Sequence, residues 1–365
     1  MDDALRVLVV GLGHMGLTHA RAYERLDGFE LAGLCARSVA THPNLPERWH
    51  GLPRFADYGE ALASVRPDVV SINTWPDTHA DFAVRAFAAG AHVFVEKPLA
   101  ETVADAERAV AAARAARRKM IVGYSARQSP TWIKLVEIAR GLGKPLVMRM
   151  NLNQQSIGPA WTWHRNLLKA LSPIVDCGVH YVDLMCLMTG AKPVRVHAIG
   201  VRLSDEIAPE MYNYGQLQVV FDDGSVGWYE AGWGPMLSET AFFLKDVIGP
   251  KGCVSILTPD QGRLNPAGAR RTVSSDIETH AKAGALRVHR AALGPDDAML
   301  EGDEDIVIND KPDHDEISAR EQRWLLDSIR GDLDLSRHWA DAVNSLRIVL
   351  AADESIRTGR VVALE

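Results

Sequence analysis

The stretch Leu5 to Val10 is an unbroken apolar run, and Gly11-Leu12-Gly13-His14-Met15-Gly16 follows it directly. The run reads as a buried strand. Residues Leu17 to Leu26 then carry a helical pattern. G-x-G-x-x-G says little alone, but a strand before it and a helix after it give it a mechanism. The first glycine permits a tight turn, the second lets the backbone approach a pyrophosphate, and the third lets helix and strand pack closely. The helix start offers free N–H groups and a partial positive charge to phosphates. The opening segment is therefore expected to fold as a dinucleotide-binding α/β Rossmann domain with a parallel sheet. Gly11, Gly13, His14, Met15 and Gly16 are its first cofactor candidates.

A second strand, Glu30 to Cys35, ends in Ala36-Arg37-Ser38. A site built for NAD places an Asp or Glu here to bind the ribose hydroxyls. Arg37 instead suits pairing with a 2′-phosphate, and Ser38 can donate to it. The residues favour NADP over NAD; if Arg37 is only a solvated loop residue, either cofactor is accepted. Thr41 to Arg54 reads as a loop, Tyr58 to Val65 as a helix and Val69 to Ile72 as a strand ending in Asn73-Thr74-Trp75-Pro76. Thr74 and Trp75 join the cofactor candidates, although a tryptophan here reads first as a packed loop residue. A helix from His79 to Ala89 follows, in which His79 is read as structural. The next strand, Val93-Phe94-Val95, stops abruptly at Glu96-Lys97-Pro98. Pro98 removes a backbone donor and restricts Lys97. A charge held at the carboxyl end of a parallel strand sits where such sheets bind ligands, so Glu96 and Lys97 are candidates as well. Helix Thr102 to Arg118 and strand Met120 to Val122 complete this half.

The chain has 365 residues, of which 47 % are hydrophobic, enough for two domains with real cores. The formal charge of −7 argues against a nucleic-acid surface. Cys35, Cys177, Cys186 and Cys253 form no C-x-x-C pair, so a zinc ribbon is not indicated and free buried thiols are expected. No secretory or membrane-spanning segment is read, which suggests a cytoplasmic protein. The expected division is residues 1–123 as the Rossmann domain and 124–365 as an α+β domain with a large, mostly antiparallel sheet. The C-terminal helix is expected to pack back on the first domain.

After Gly123 a loop runs to Pro130, then a helix Trp132 to Arg140, a strand Pro145 to Leu152 and a polar connection Asn153 to Arg165. Tyr124, Arg127, Trp161, Trp163, His164 and Arg165 are substrate candidates, since aromatic platforms with hydrogen-bonding groups suit a sugar or cyclitol ring. A helix is expected from Pro173 to Met188, with Gly190 beyond its end. Asp176, His180 and Asp183 fall on one face of it. A carboxylate one turn from an imidazole can orient it and favour its protonated form. The alternatives are a polar face that meets water and, least supported, a metal site. Strands Val194 to Val201, Tyr214 to Phe221, Ser225 to Gly232 and Thr240 to Val247 follow, with Asp222-Asp223-Gly224 as a hairpin turn. Trp228, Glu230 and Gly232 share one strand face, Tyr229 and Trp233 the other, and either face suits a pocket. Thr258 to Asp315 is charged with weak strand signals. Helices Ile317 to Arg330 and His338 to Gly359 lead to a strand Val361 to Leu364.

Taken together, Gly11-Leu12-Gly13-His14-Met15-Gly16, Glu96-Lys97-Pro98, Gly123-Tyr124 with Arg127 and Pro130, Asp176-x-Gly178-x-His180-x-x-Asp183 and Gly249-Pro250-Lys251-Gly252 make the chain resemble the Gfo/Idh/MocA family, the glucose–fructose oxidoreductase and inositol dehydrogenase group. The resemblance covers nearly the whole chain. It implies Lys97, Asp176 and His180 as the catalytic group and a homodimer or homotetramer formed through the open sheet face; from the residues themselves, no metal is expected. Two departures stand out: Thr74-Trp75-Pro76 replaces Thr-Pro-Asn, and Ala170-Leu171-Ser172-Pro173 replaces a glycine-rich run.

The expected chemistry is hydride transfer between a nicotinamide cofactor and a secondary alcohol or ketone of a sugar, glycoside or inositol-like substrate. His180 is the general base, Lys97 stabilises the developing oxyanion and Asp176 holds a neighbouring hydroxyl or orients the site. Two other readings fit the same fold: a redox-cycling, NAD-dependent glycoside-cleaving enzyme and a non-enzymatic dinucleotide-binding regulator. Retention of Lys97, Asp176 and His180 argues against the regulator, which needs no proton-transfer group.

Overall fold

The computed structural model describes residues 4–43, 45–238, 244–257 and 284–364. They divide into two compact units, one made of Met1–Gln128 with Pro312–Leu346, the other of Ser129–Lys311 with Arg347–Glu365.

The first unit alternates strand and helix: β1 (Leu5–Val10), α1 (His14–Arg25), β2 (Phe29–Cys35), β3 (Arg54–Phe55), α2 (Tyr58–Val65), β4 (Val69–Ile72), α3 (Pro76–Ala88), β5 (His92–Val95), α4 (Val103–Ala116) and β6 (Met120–Val122). The six strands form one sheet in the order β3-β2-β1-β4-β5-β6, and every pairing is parallel. Helices on both faces explain why Val7–Val10, Val69–Ile72 and Val93–Val95 are buried without alternation. The strand order reverses at β1 and β4, the switch point of a doubly wound sheet. The expected loop Thr41–Arg54 in fact holds short 3-10 turns at Val39–Thr41 and Glu47–Trp49 before β3.

The second unit begins with α5 (Pro130–Gly141), β7 (Val147–Gln155), α6 (Pro159–Leu167), α7 (Pro173–Asp176) and α8 (Gly178–Thr189). It continues with β8 (Pro193–Val201), β9 (Tyr214–Phe221), β10 (Val226–Gly234), β11 (Lys245–Gly249), β12 (Gly252–Leu257), β13 (Ala285–Arg290) and β14 (Glu304–Val307). Helix α9 (His314–Arg330) belongs to the first unit. Helix α10 (Ser336–Thr358) gives residues up to Leu346 to the first unit and the rest to the second, and β15 (Val362–Ala363) ends the fold. The nine strands run β14-β13-β12-β11-β7-β10-β9-β8-β15. Among the described residues, only β7–β10 is a parallel pair. Gly224, at φ +82°, turns the β9–β10 hairpin as expected.

Several expectations need correction. The polar connection Asn153–Arg165 is the end of β7 followed by helix α6, which Pro159 starts at its first turn. The helix from Pro173 is two segments joined at Cys177, whose φ −90° and ψ −38° keep it near helical geometry. Of the strand expected over Thr240–Val247, residues 240–243 lie outside the described residues, and β11 starts at Lys245. Likewise 258–283 lie outside them. None of the four cysteines is in a disulfide, but Cys253 is only half-buried. Trp75 is not packed in its loop; it is 51 % exposed at the start of α3.

Candidate functional site

In the first unit, the glycine-rich turn sits at the switch point. A Cβ on Gly11 would lie 2.4 Å from the Asn73 carbonyl oxygen, and one on Gly16 would lie 1.9 Å from the Gly11 carbonyl oxygen. These two glycines are required by the protein's own packing. A Cβ on Gly13 would meet nothing within 4 Å, so the protein alone does not demand a glycine there. Side chains of Asp57, Thr102 and Asp313 cap helices α2, α4 and α9, whereas α1 has no side-chain cap and no acid in its first turn. Its first N–H groups and positive end therefore suit an anion, and the residues present fit a dinucleotide pyrophosphate.

Around that turn, His42 Nε2 lies 2.7 Å from the Leu12 carbonyl oxygen, tying the segment after β2 to the glycine loop. Arg37 and Ser38 are exposed, Ala36 half-buried, and His14 exposed with its ring 5.9 Å from that of His314. Asn73 is held inside: its amide donates to the carbonyl of Ser71 at 3.1 Å. The Thr74 hydroxyl meets Thr78 at 2.6 Å. His79 bridges the Pro98 carbonyl at 2.8 Å and the Thr74 carbonyl at 3.0 Å, which ties the loop after β4 to the Glu96-Lys97-Pro98 turn. The Lys97–Pro98 bond is cis. Glu96 is buried, with Oε1 2.8 Å from His19 Nε2.

Tyr124 and Arg127 point their polar groups at α10. The Tyr124 hydroxyl meets Ser345 at 2.8 Å, and Arg127 pairs with the buried carboxylate of Asp341 at 3.0 Å.

In the second unit, Asp176 ends α7 half-buried, while His180 and Asp183 are buried in α8 among Val175, Val179 and Val182. Ser172, one of the residues standing in for the glycine-rich run, caps α7 by accepting from Val175 N–H at 3.1 Å. Its own hydroxyl donates to Asp353 at 2.8 Å, and Tyr212 donates to the same carboxylate oxygen. Burial raises the Asp353 pKa, and these two donors only moderate the rise. The departure from the glycine-rich pattern thus places a hydrogen-bonded cap one turn before Asp176.

Tyr181 stacks on Tyr229 at 4.8 Å, so the helix carrying His180 covers the Tyr229/Trp233 face of β10. Lys245, paired in register with Met150, shares that face. Its ammonium donates to the Asn151 carbonyl and lies 5.0 Å from the Tyr181 ring centre. Burial pushes its pKa down to about 7.

Two of the substrate candidates, His164 and Trp163, converge on this side. His164 stacks on Trp233, its buried Nδ1 has no hydrogen-bond partner among the described residues, and burial pushes its pKa down to about 4. Asp176 is close enough to act on it electrostatically. Trp163 is 48 % exposed, its ring 5.2 Å from His164. Trp161 and Arg165 are drawn instead to Glu206: the indole N–H donates at 3.0 Å and the guanidinium pairs with the second oxygen. Glu206 and Gln154 were not singled out as site residues in the sequence, because their partners lie tens of residues away and no local pattern marks them; Trp233 was expected only as one of two alternative pocket faces.

Among the described residues, no group of three or more His, Cys, Asp or Glu gathers to hold a metal ion. No helix among the described residues is long and apolar enough to cross a membrane.

The chain is similar to inositol 2-dehydrogenase from Gluconacetobacter diazotrophicus, at 29 % identity over 57 % of this chain and 61 % of that protein. It is similar to D-glucoside 3-dehydrogenase from Escherichia coli, at 26 % identity over 72 % of this chain and 81 % of that one. Its fold matches a solved oxidoreductase from Desulfitobacterium hafniense, with a TM-score of 0.76, 19 % identity, and coverage of 100 % of this chain and 98 % of that one. Residues 5–124 match the model of an oxidoreductase family with an NAD-binding Rossmann fold, and residues 136–249 match the GFO/IDH/MocA C-terminal domain. With both halves matched, the chain belongs to the Gfo/Idh/MocA oxidoreductase family.

Proposed function

We propose that the protein is an NAD(P)-dependent oxidoreductase acting on a secondary alcohol or ketone of a sugar, glycoside or inositol-like molecule. The observation that carries this reading is the uncapped start of α1 behind an unobstructed Gly13, in a chain that also keeps Lys97, Asp176 and His180. The names of the relatives, an inositol and a glucoside dehydrogenase, support the substrate class. Arg37 and Ser38, exposed after β2 with no acid at position 36, favour NADP.

When bound, the nicotinamide supplies the hydride acceptor or donor. Gly11 to Gly16 bind the pyrophosphate, with Thr74 and Trp75 beside the cofactor. His180 takes the hydroxyl proton, Lys97 stabilises the negative charge that develops on the same oxygen, and Asp176 orients a neighbouring hydroxyl. His164, neutral at pH 7, offers a ring nitrogen to a substrate hydroxyl, and Trp163 an apolar platform. Tyr124 and Arg127 support the substrate site through their fixed bonds to α10.

Register places Val147, Ile199, Val201, Val226 and Ile248 on the sheet face opposite Tyr229, all exposed. That open face, where these apolar side chains alternate with polar ones such as Arg149, Asp246 and Gln218, is the surface for a homodimer or homotetramer. The free thiols suit a reducing cytoplasm.

The test is Lys97→Ala. It should abolish turnover on a polyol and sugar panel while NADPH binding stays near wild type. Near-full activity in this variant would remove Lys97 from the mechanism.

A further inference from the structure

A chain of buried polar groups runs behind Lys97, entirely within the first unit. The Tyr23 hydroxyl lies 2.5 Å from Gln322 Oε1. A phenol donates to an amide oxygen, so the Gln322 amide nitrogen is the atom that faces His19 Nδ1, at 2.9 Å. An amide nitrogen can only donate, so His19 Nδ1 accepts and the ring proton sits on Nε2. That proton points at Glu96 Oε1, 2.8 Å away. The other carboxylate oxygen, Oε2, accepts from the backbone N–H of Lys97 at 3.2 Å. Each link fixes the donor sense of the next, and every side chain in the chain is buried.

We propose that His19 and Gln322 are positioning residues for Lys97: they hold the Glu96 carboxylate in the one orientation that fastens the Lys97 peptide at the end of β5. This rests on the reading of Lys97 as the group that stabilises the oxyanion.

The surroundings agree. Burial alone would raise the Glu96 pKa, but the His19 hydrogen bond and the nearby His19, Lys97 and His79 hold it below its ordinary value. Glu321, next to Gln322 on α9, is buried, its Oε1 has no hydrogen-bond partner among the described residues, and burial and Glu96 push its pKa well up. Burial thus favours its neutral form. His314, on the same helix, is shifted down by burial and by His14 and His19. Behind Lys97, then, the charged form is disfavoured at Glu321 and favoured at Glu96. Without the His19 donor, that carboxyl is left buried and turned loose, which costs more than the bond itself was worth.

Four variants decide the matter: His19→Leu, His19→Gln, Gln322→Met and Lys97→Ala. Hydrogen exchange of the peptide that spans Lys97 is read alongside kcat and the NADPH Kd. In His19→Leu the Lys97 amide should exchange about tenfold faster and kcat should fall about tenfold or more, with the NADPH Kd unchanged. His19→Gln, whose amide can still donate to Glu96, should restore both. Gln322→Met keeps volume while removing the amide, should reproduce the His19→Leu pattern more weakly, and serves in its place if that variant does not fold. Unchanged exchange at Lys97 in a folded His19→Leu or Gln322→Met protein overturns the proposal, as does a loss that His19→Gln does not restore. A wild-type protein without turnover on the panel, or Lys97→Ala with near-full turnover, would instead overturn the reading of Lys97; the exchange measurement still judges the relay.

Discussion

The imidazole of His164 lies flat on the indole of Trp233, with ring centroids 4.5 Å apart and planes 9° from parallel. Trp233 is fixed in turn by a 2.8 Å bond from its indole N–H to Gln154 Oε1, an oxygen that Cys177 also approaches at 3.5 Å. This stack brings α6, β7, β10 and the α7–α8 junction to one point, next to Asp176. It also withdraws His164 from water.

Burial pushes the His164 pKa from the ordinary 6.5 down to about 4, so folding favours its neutral form. That preference is harmless above pH 6.5 and costs stability as pH falls from there toward 4. His164→Phe keeps the stack but removes the titration. Wild type should lose up to about 3 kcal/mol more than the variant between pH 7 and pH 4. Urea unfolding across that range measures it, and parallel pH curves for the two proteins would contradict it.

The three glycines of the turn should part company on substitution. Gly11→Ala and Gly16→Ala drive a Cβ to 2.4 and 1.9 Å from backbone oxygens, so both should lose about 3 kcal/mol or more of stability. Gly13→Ala meets open space and should fold within about 0.5 kcal/mol of wild type, yet weaken NADPH binding about tenfold or more. Thermal melts with and without cofactor separate the two classes.

Arg37→Asp should turn the cofactor preference. A carboxylate there repels a 2′-phosphate and can accept from ribose hydroxyls, so the NADPH Kd should rise about tenfold or more while NADH binds at least as well. Nucleotide fluorescence titrations read this directly. Tighter NADH than NADPH binding in the wild type would already overturn the NADP assignment.

Glu321→Gln should stabilise the protein, and more so as pH rises. The native state holds the Glu321 proton well above the ordinary 4.5, so native protein binds more protons than unfolded chain and loses stability as pH increases past that value. Glutamine has nothing to lose. Melting temperatures should coincide at pH 4 and diverge in favour of the variant by pH 8.

The first unit was legible because its signals are local. Leu5–Val10 and Gly11–Gly16 declare a strand, turn and helix within 21 residues, and the observed β1 and α1 lie where they were expected. The Gly224 hairpin and the α8 stop at Gly190 are equally local, each set by a left-handed glycine. Helix α6 was missed because nine residues with two tryptophans, a histidine and an arginine give too few turns for a 3.6-residue period to stand out. Trp75 was read as packed because a tryptophan is usually buried, yet its place just before Pro76 leaves it outside the helix packing. Tyr124 and Arg127 stood out as polar groups in a loop; nothing near them in sequence indicates Ser345 and Asp341. The same holds for His19 and Gln322, whose meaning lies wholly in side chains they meet across the fold.

Tyr23 and its partner Gln322 are 299 residues apart in the chain. On a ribosome adding roughly 5–20 residues per second, Tyr23 and His19 emerge about 15–60 s before the helix that satisfies them exists. The nucleotide-binding sheet can assemble early, but its interior keeps unmatched polar groups through most of synthesis. A nascent chain released or truncated before α9 should therefore be a client for chaperones rather than a small, self-sufficient domain.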